Sequence, residues 1–391
     1  MIYWILHKPL TNSDLQNGIE GFPGILFEKN EAIVFLDITN YSLCERLEFA
    51  KKNKAYQNLA DISIFNERFM RIKTRKALVN FLKNVTKNDV FVFQDCGRMN
   101  VRLVVSELNK RNLKTVLLNH WRMPDWASNS TKKNKKNFSY FFALRKVLLK
   151  KIVYKITMKN LPPKMKFDYV FSCGKKYDEE LSKIVDFSKT IKCHSVPYDE
   201  FLAQRKKTIE TTQTTPKDER FIVFVDQALT LHPDNARYFS QEFSESYHKE
   251  ILESLRFIKK REGLEIIIAQ HPRIQFPKGY WEEFECRSGQ TARLISESKI
   301  ILGHFSTALL QNAFLEKSTI ILNSSNIFYP FKERTDYFYN LLGTELFDMN
   351  SMETKDRKQT MKIPMEDYFS LIPSETEKSN FEIFLNFFNN F

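Results

Sequence analysis

The residues best placed for chemistry are a histidine and a pair of hydroxyls. His271 follows an apolar run in the segment IIIAQHPR, Ile266–Arg273. Ser306 and Thr307 follow another in IILGHFSTALL, Ile300–Leu310. A short Ile-rich run that stops at polar residues reads as a buried parallel strand with a loop at its carboxyl end. Open α/β sheets bind ligands outside those ends. An imidazole there can hydrogen-bond or protonate a departing phosphate. Arg273, in His271-Pro272-Arg273, can pair with the same anion. Gly303 lets a backbone approach, and Ser306 and Thr307 open a helix whose N–H groups face an anion. Plainer readings stand beside these: a capping histidine before a turn-forming proline, an ordinary helix N-cap and, for His304, burial. The two loops together predict a phosphate site.

Further polar groups sit at strand ends. Asp226 and Gln227 close Phe221–Val225 and can touch a sugar hydroxyl or a nucleotide, or simply start a turn. A His232-Pro233-Asp234 triplet follows. In the N-terminal half, Gln94-Asp95-Cys96-Gly97-Arg98 places a carboxylate before a helix. Asp95 can act as the general base that takes an acceptor hydroxyl proton, or cap the helix. His120 and Arg122, in Asn119-His120-Trp121-Arg122, are a second-choice base and acceptor contacts. Gly21 and Gly24 belong to a glycine-rich loop, Gly18–Gly24, that can line the same mouth.

The elements that must position these groups alternate. Strands are predicted at Ile2–Leu6, Ala32–Asp37, Val90–Gln94, Thr115–Asn119, Tyr169–Ser172 and His194–Pro197, with helices at Leu43–Ala55, Arg75–Asn84 and Asn100–Arg111. The pattern restarts with strands at Phe221–Val225, Leu264–Ala269, Lys299–Leu302 and Thr319–Leu322, and helices at Tyr247–Arg261, Thr291–Ser298 and Thr307–Leu315. Such alternation predicts parallel βαβ sheets. The expected layout is an N-terminal Rossmann-like, acceptor-binding domain (1–200), a polar linker (201–220), a C-terminal nucleotide-sugar domain (221–375), and a Phe-rich helix (376–391) packing near the domain junction. The fold class is α/β, GT-B-like, with two Rossmann-like domains facing across a central cleft.

Composition narrows the chemistry. The 391 residues suit two domains and contain only 10 Gly. No G-x-G-x-x-G or Walker A loop is present, so phosphate must be held by side chains and helix ends. The 5 Cys form no C-x-x-C pair, which fits neither a zinc site nor a disulfide framework but suits a reducing cytoplasm. No apolar run is long enough to span a bilayer, and the first residues read as a strand rather than a signal peptide. The net charge of +13 concentrates between Trp126 and Phe167, where there is no acid and twelve Lys or Arg. Apolar residues recur there at helical spacing. Lys132–Lys166 is therefore expected to be a basic amphipathic helix on an anionic membrane surface, or else a core helix with a solvated face. No nucleic-acid module accompanies it.

The order Asp95-Cys96-Gly97, His271-Pro272, Ser306-Thr307 resembles the acidic-acidic-Gly, His-Pro and Ser-Ser/Thr motifs of bacterial GT-B glycosyltransferases that use CMP-activated acidic sugars, the sialyltransferases and polysialyltransferases and their relatives for nonulosonic acids, with Gln94 before Asp95 and Cys96 between it and Gly97 as departures. The likeness covers mainly 221–325. It implies Asp95 as base, His271 on the CMP phosphate assisting its departure, and Ser306 and Thr307 on the phosphate or the sugar carboxylate. Asp226, Gln227, His271, Pro272, Arg273, Gly303, His304, Ser306 and Thr307 would line the donor site, and Gly21, Gly24, His120 and Arg122 the acceptor site. The expected activity is metal-independent, cofactor-free transfer of a nonulosonic or Kdo-type sugar from a CMP donor. The acceptor would be a capsule, O-antigen or lipooligosaccharide glycan at the inner face of the cytoplasmic membrane. Polyol-phosphate polymerases with CDP-linked donors share similar His and Ser/Thr features, and a non-catalytic glycan-binding scaffold is the other alternative. A UDP-sugar 2-epimerase would show an Asp-Ser-Gly-Gly type loop at Gly303–Thr307, which this chain lacks.

Overall fold

The computed structural model describes residues 1–6, 33–39, 41, 68–119, 161–195, 198–199, 201–203, 221–232, 235, 239–271, 274–281, 283–315, 317–327, 331–342, 345–356 and 378–390. The chain divides into two compact units. One comprises Met1–Pro124, Lys133–Ser195 and Glu366–Phe391, and the other Asp125–Lys132 and Val196–Met365.

The first unit is built on seven strands: β1 (Ile2–Leu6), β2 (Ile33–Asp37), β3 (Phe69–Arg71), β4 (Val90–Phe93), β5 (Lys114–Asn119), β6 (Met165–Ser172) and β7 (Val185–Lys192). They are all parallel, in the order β3-β2-β1-β4-β5-β6-β7. The sheet is apolar on both faces, because helices cover both. Period-two alternation assigns each residue to its face. Tyr3, Ile5, Phe91 and Phe93 pack with Val101, Val104 and Leu108 of the helix Met99–Asn109. Trp4, Val92, Leu118 and Phe171 face the other way.

That second face is closed from the far end of the sequence. The helix Asn380–Asn389 starts at a capping box, Ser379 with Glu382. It lays Phe384 and Phe388 into the same core, with the Phe384 ring 4.6 Å from that of Phe171. Asn380 clasps the chain after β7: its Oδ1 accepts from the His194 N–H (2.6 Å) and its Nδ2 donates to the His194 carbonyl (2.8 Å). This Phe-rich helix is part of the N-terminal unit.

The second unit repeats the plan with β8 (Phe221–Val225), β9 (Glu265–Gln270), β10 (Glu285–Ser288), β11 (Ile300–Gly303), β12 (Ser318–Asn323), β13 (Glu345–Asp348) and β14 (Glu353–Asp356). The order is β10-β9-β8-β11-β12-β13-β14, parallel except for the final antiparallel pair. The long helix Gln241–Glu262 buries Tyr247, Ile251, Leu255 and Ile258, one stripe at helical spacing. It is capped by Ser240 and ends at Gly263 in the left-handed conformation (φ 64°), with Lys259, Lys260 and Arg261 in the last turn favoured by the helix dipole. The protein is thus an α/β chain with two mostly parallel sheets in the Rossmann strand order.

Several expectations change. No strand stands at His194 and Ser195, where one was expected to start: β7 ends at Lys192, and these two residues continue without regular structure, while residues 196–197 lie outside the described residues. β7 itself, VDFSKTIK, is an edge strand whose polar outer residues hid it from the apolar pattern. The basic segment does not stay helical to Lys166, because β6 begins at Met165. Residues 132–160 of that segment, and the predicted helix Leu43–Ala55, lie outside the described residues. Among the described residues no helix is long and apolar enough to cross a membrane.

Candidate functional site

In both sheets the strand order reverses once: between β1 and β4, and between β8 and β11. A reversal leaves a crevice beyond the carboxyl ends, because the connecting helices leave toward opposite faces. In the C-terminal unit three consecutive strand ends, β9, β8 and β11, carry His271, then Asp226 and Gln227, then Ser306. Strands β9 and β11 flank β8, so their ends are about 10 Å apart. These four residues are brought to one edge.

A tight turn organises that edge. The Asp226 N–H extends the ladder by one bond to the Ala269 carbonyl (3.1 Å). Its Oδ1 then accepts from the Ala228 N–H at 2.7 Å. Ala228 is left-handed (φ 47°), an unfavourable conformation for a residue with a Cβ. The chain doubles back, and the N–H groups of Leu231 and His232 both reach the Ala228 carbonyl (2.9 and 2.7 Å). This places the His232 ring edge-to-face with His271, centroids 5.1 Å apart at 82°. Gln227 ties the turn to the neighbouring strand end, its Oε1 accepting from the Phe305 N–H at 3.1 Å.

Asp226 is enclosed. Burial pushes its carboxyl up to about 7, opposed by the Ala228 N–H and the Trp281 indole. Its Oδ2 has no partner of hydrogen-bonding geometry among the described residues. The surroundings are aromatic. Tyr247 and Tyr280 are held above the usual phenol range by burial and by the Asp226 charge, and His248 stacks on Tyr280 at 3.7 Å. Beyond β9 a depression of about 440 Å³ is lined by Gln270, Ile274, Phe276, Tyr280, Trp281 and Cys286.

Two expected donor contacts are corrected. His304 is 1% exposed. Its Nδ1 faces the Leu322 carbonyl at 2.8 Å and must donate, so Nε2 accepts from the Tyr247 hydroxyl at 3.0 Å. Burial pushes the ring down to about 4. It is a neutral strut between helix and sheet, with no nitrogen left for a ligand. Gly303 makes room for a side chain rather than a substrate: a Cβ there would meet the Leu309 side chain at 3.0 Å. Thr307 opens a five-residue 3₁₀ turn, Thr307–Gln311, followed by a four-residue helix, Asn312–Leu315, instead of one helix. The side chain of Asn312 bonds to Lys317 N (2.8 Å) and Thr319 Oγ1 (2.6 Å), pulling the chain back toward β12. Ser306 caps the turn through Oγ and the Ala308 N–H (3.3 Å). So short an element offers little dipole, and any anion contact here falls to the hydroxyls.

In the N-terminal unit Asp95 lies two residues past β4, at that sheet's own reversal. Its Oδ1 accepts from the Gly97 N–H (2.6 Å), and Arg98 Nε stands 3.2 Å from Oδ2. Its side chain remains 27% exposed. Gly21, Gly24, His120, Arg122, Pro272 and Arg273 lie outside the described residues. Among the described residues no group of three or more His, Cys, Asp or Glu converges as a metal set.

The same strand-end signal marks two groups that the sequence reading passed over. Asp37 closes β2, accepts from Thr39 N (2.9 Å) and Oγ1 (2.6 Å), and pairs with Arg71 (2.8 Å). After β12, Ser324 binds Glu250 (2.9 Å), and Asn350 accepts from Ser325 N and Oγ (2.7 and 2.8 Å). Both follow apolar runs that end in Asp-x-Thr or Asn-Ser-Ser-Asn.

No family model matches the chain, and no curated protein matches it in sequence. Solved structures with a similar arrangement include a variant of the wall teichoic acid polymerase TagF with CDPG (10% identity, TM-score 0.44, covering 98% of this chain and 82% of that one). Another is the spinosyn forosaminyltransferase SpnP (13%, 0.44, 100% and 98%). A third is the UDP-GlcNAc 2-epimerase from Neisseria meningitidis bound to UDP-GlcNAc (11%, 0.41, 98% and 95%).

Proposed function

We propose that this protein is a GT-B-type glycosyltransferase that moves a sugar from a nucleotide-activated donor to a cell-envelope glycan. The donor is a CMP-linked nonulosonic or Kdo-type acid. One observation carries the reading: the reversal between β8 and β11 gathers His271, Asp226, Gln227 and Ser306 at one sheet edge. A strand-end imidazole and a hydroxyl suit a leaving phosphate, since charge developing there is met by hydrogen-bond donors already in place. Asp95, half-exposed at the equivalent edge of the other sheet, is the base that receives the acceptor proton. The leaving charge calls for no metal or cofactor, because imidazole and hydroxyl groups receive it. The cationic segment Lys132–Lys166 holds the enzyme on the inner leaflet, each near-surface cation adding about 1 kcal/mol on anionic lipid.

The test is a thermal-shift panel of CMP, CDP, UDP and GDP, followed by turnover of CMP-sugars by the parent and by His271→Ala. CMP should raise the melting temperature most, and H271A should abolish turnover. A shift with UDP or GDP but not CMP rejects the donor class. A strongest shift with CDP moves the assignment to polyol-phosphate transfer. No shift with any nucleotide, and a cellular role that survives H271A, leaves a scaffold.

A further inference from the structure

Resting on the glycosyl-transfer reading above, we propose that His232 is a second binding group for the donor's phosphate. It acts beside His271, so that two imidazoles from neighbouring strand ends share one anion.

The turn after β8 delivers this ring. Ala228 takes the left-handed conformation (φ 47°), fixed from one side by Asp226 Oδ1 on its N–H. On the other side its carbonyl takes the N–H groups of Leu231 and His232. Strained backbone persists where its surroundings over-determine it, and it clusters at ligand sites. Here the result of the strain is specific: the His232 ring is carried back over the end of β9, 5.1 Å from His271 and nearly perpendicular to it.

Both rings are half-buried, whereas His304 is sealed in the core. Two protonated imidazoles at this spacing repel each other, and an anion lying beside both of the touching rings offsets the repulsion. The carboxyl of the same turn does not oppose an anion strongly. Burial pushes Asp226 up to about 7 and so favours its uncharged form. An uncharged nucleoside gains nothing from such a pair. His232 should therefore matter for the phosphate of a ligand and not for its base or sugar.

The experiment is calorimetric titration of the full chain with CMP and with cytidine, and with UDP and uridine in parallel, for the parent, His232→Gln, His232→Lys and His271→Gln. Gln keeps a donor but carries no charge, while Lys restores a cation. H232Q should weaken CMP about tenfold, in the range of one hydrogen bond to a charged group, and leave cytidine within twofold. H232K should recover most of the CMP preference. If H232Q leaves the CMP-to-cytidine ratio intact while H271Q lowers it, the second imidazole is rejected and the donor reading survives. If H232Q weakens CMP and cytidine equally, or if both it and H232K melt well below the parent, His232 is structural and the inference is overturned. If the parent binds neither CMP nor UDP, this inference and the donor reading fall together.

Discussion

Asp95 and Asp226 each lie just past the carboxyl end of a strand that flanks the reversal in its own sheet, β4 and β8, yet they live in different media. Each folds its Oδ1 onto the N–H two residues on, at Gly97 and Ala228. Asp95 keeps a guanidinium at 3.2 Å and remains open to solvent. Asp226 has no ion partner among the described residues and is walled by Tyr247, Tyr280 and Trp281, so burial pushes it up to about 7. One turn thus serves two purposes: an accessible carboxylate suited to take a proton, and a concealed carboxyl suited to hold a loop. A motif locates the group, but solvation decides its chemistry.

That contrast can be broken in four places, taken from the largest expected effect down. Asp95→Asn should lower turnover about 10² to 10⁴-fold, the range of a lost general base, with melting temperature unchanged; unaltered steady-state rates would move the base elsewhere. Asp226→Asn should act on stability instead. The folded value near 7 exceeds the ordinary 3.8, so the native state holds its proton while the unfolded chain releases it. Stability from this group therefore falls as pH rises from about 4 to about 7, and stays lost above. The total is roughly 4 kcal/mol at about 1.4 kcal/mol per unit. D226N removes that slope, so its denaturant midpoint should overtake the parent's between pH 5 and pH 8; parallel curves would show that the carboxyl is not raised. His304→Ala should cost about 3 kcal/mol by leaving the Tyr247 hydroxyl and Leu322 carbonyl unpaired around a cavity. Nucleotide affinity should hold in the surviving folded fraction, and a selective loss of binding at full stability would return His304 to the donor site. Ala228→Gly should stabilise by about 1 kcal/mol through release of left-handed strain, readable as a small rise in melting temperature.

The fold was legible where apolar runs were short and bounded. β1 and β8 stand where Ile2–Leu6 and Phe221–Val225 were read, and both sheets follow from the alternation of strands and helices. The strand ends were legible too: His271, Asp226 with Gln227, and Ser306 follow three neighbouring strands, β9, β8 and β11. What escaped depends on contacts distant in sequence. β7 hides because its solvent side is polar. The helix expected after Thr307 is cut short by Asn312 reaching Thr319. His304 and Gly303 carry the same local signature as ligand groups, and only the positions of Tyr247 and Leu309 reveal their structural employment. The distinction between Asp95 and Asp226 is likewise invisible without knowing which one the aromatic side chains enclose.

The clasp of Asn380 on His194 and the seating of Phe384 beside Phe171 have a consequence for biosynthesis. A ribosome releases β1 through β7 first, then all of β8 through β14, and only afterwards the helix that finishes the earlier body. At about 5–20 residues per second, that body waits on the order of ten seconds or more without the Phe384 ring that packs on Phe171. A nascent chain in that interval is a natural client for chaperones, and a message truncated before codon 380 should yield a sticky product even though every strand has been translated.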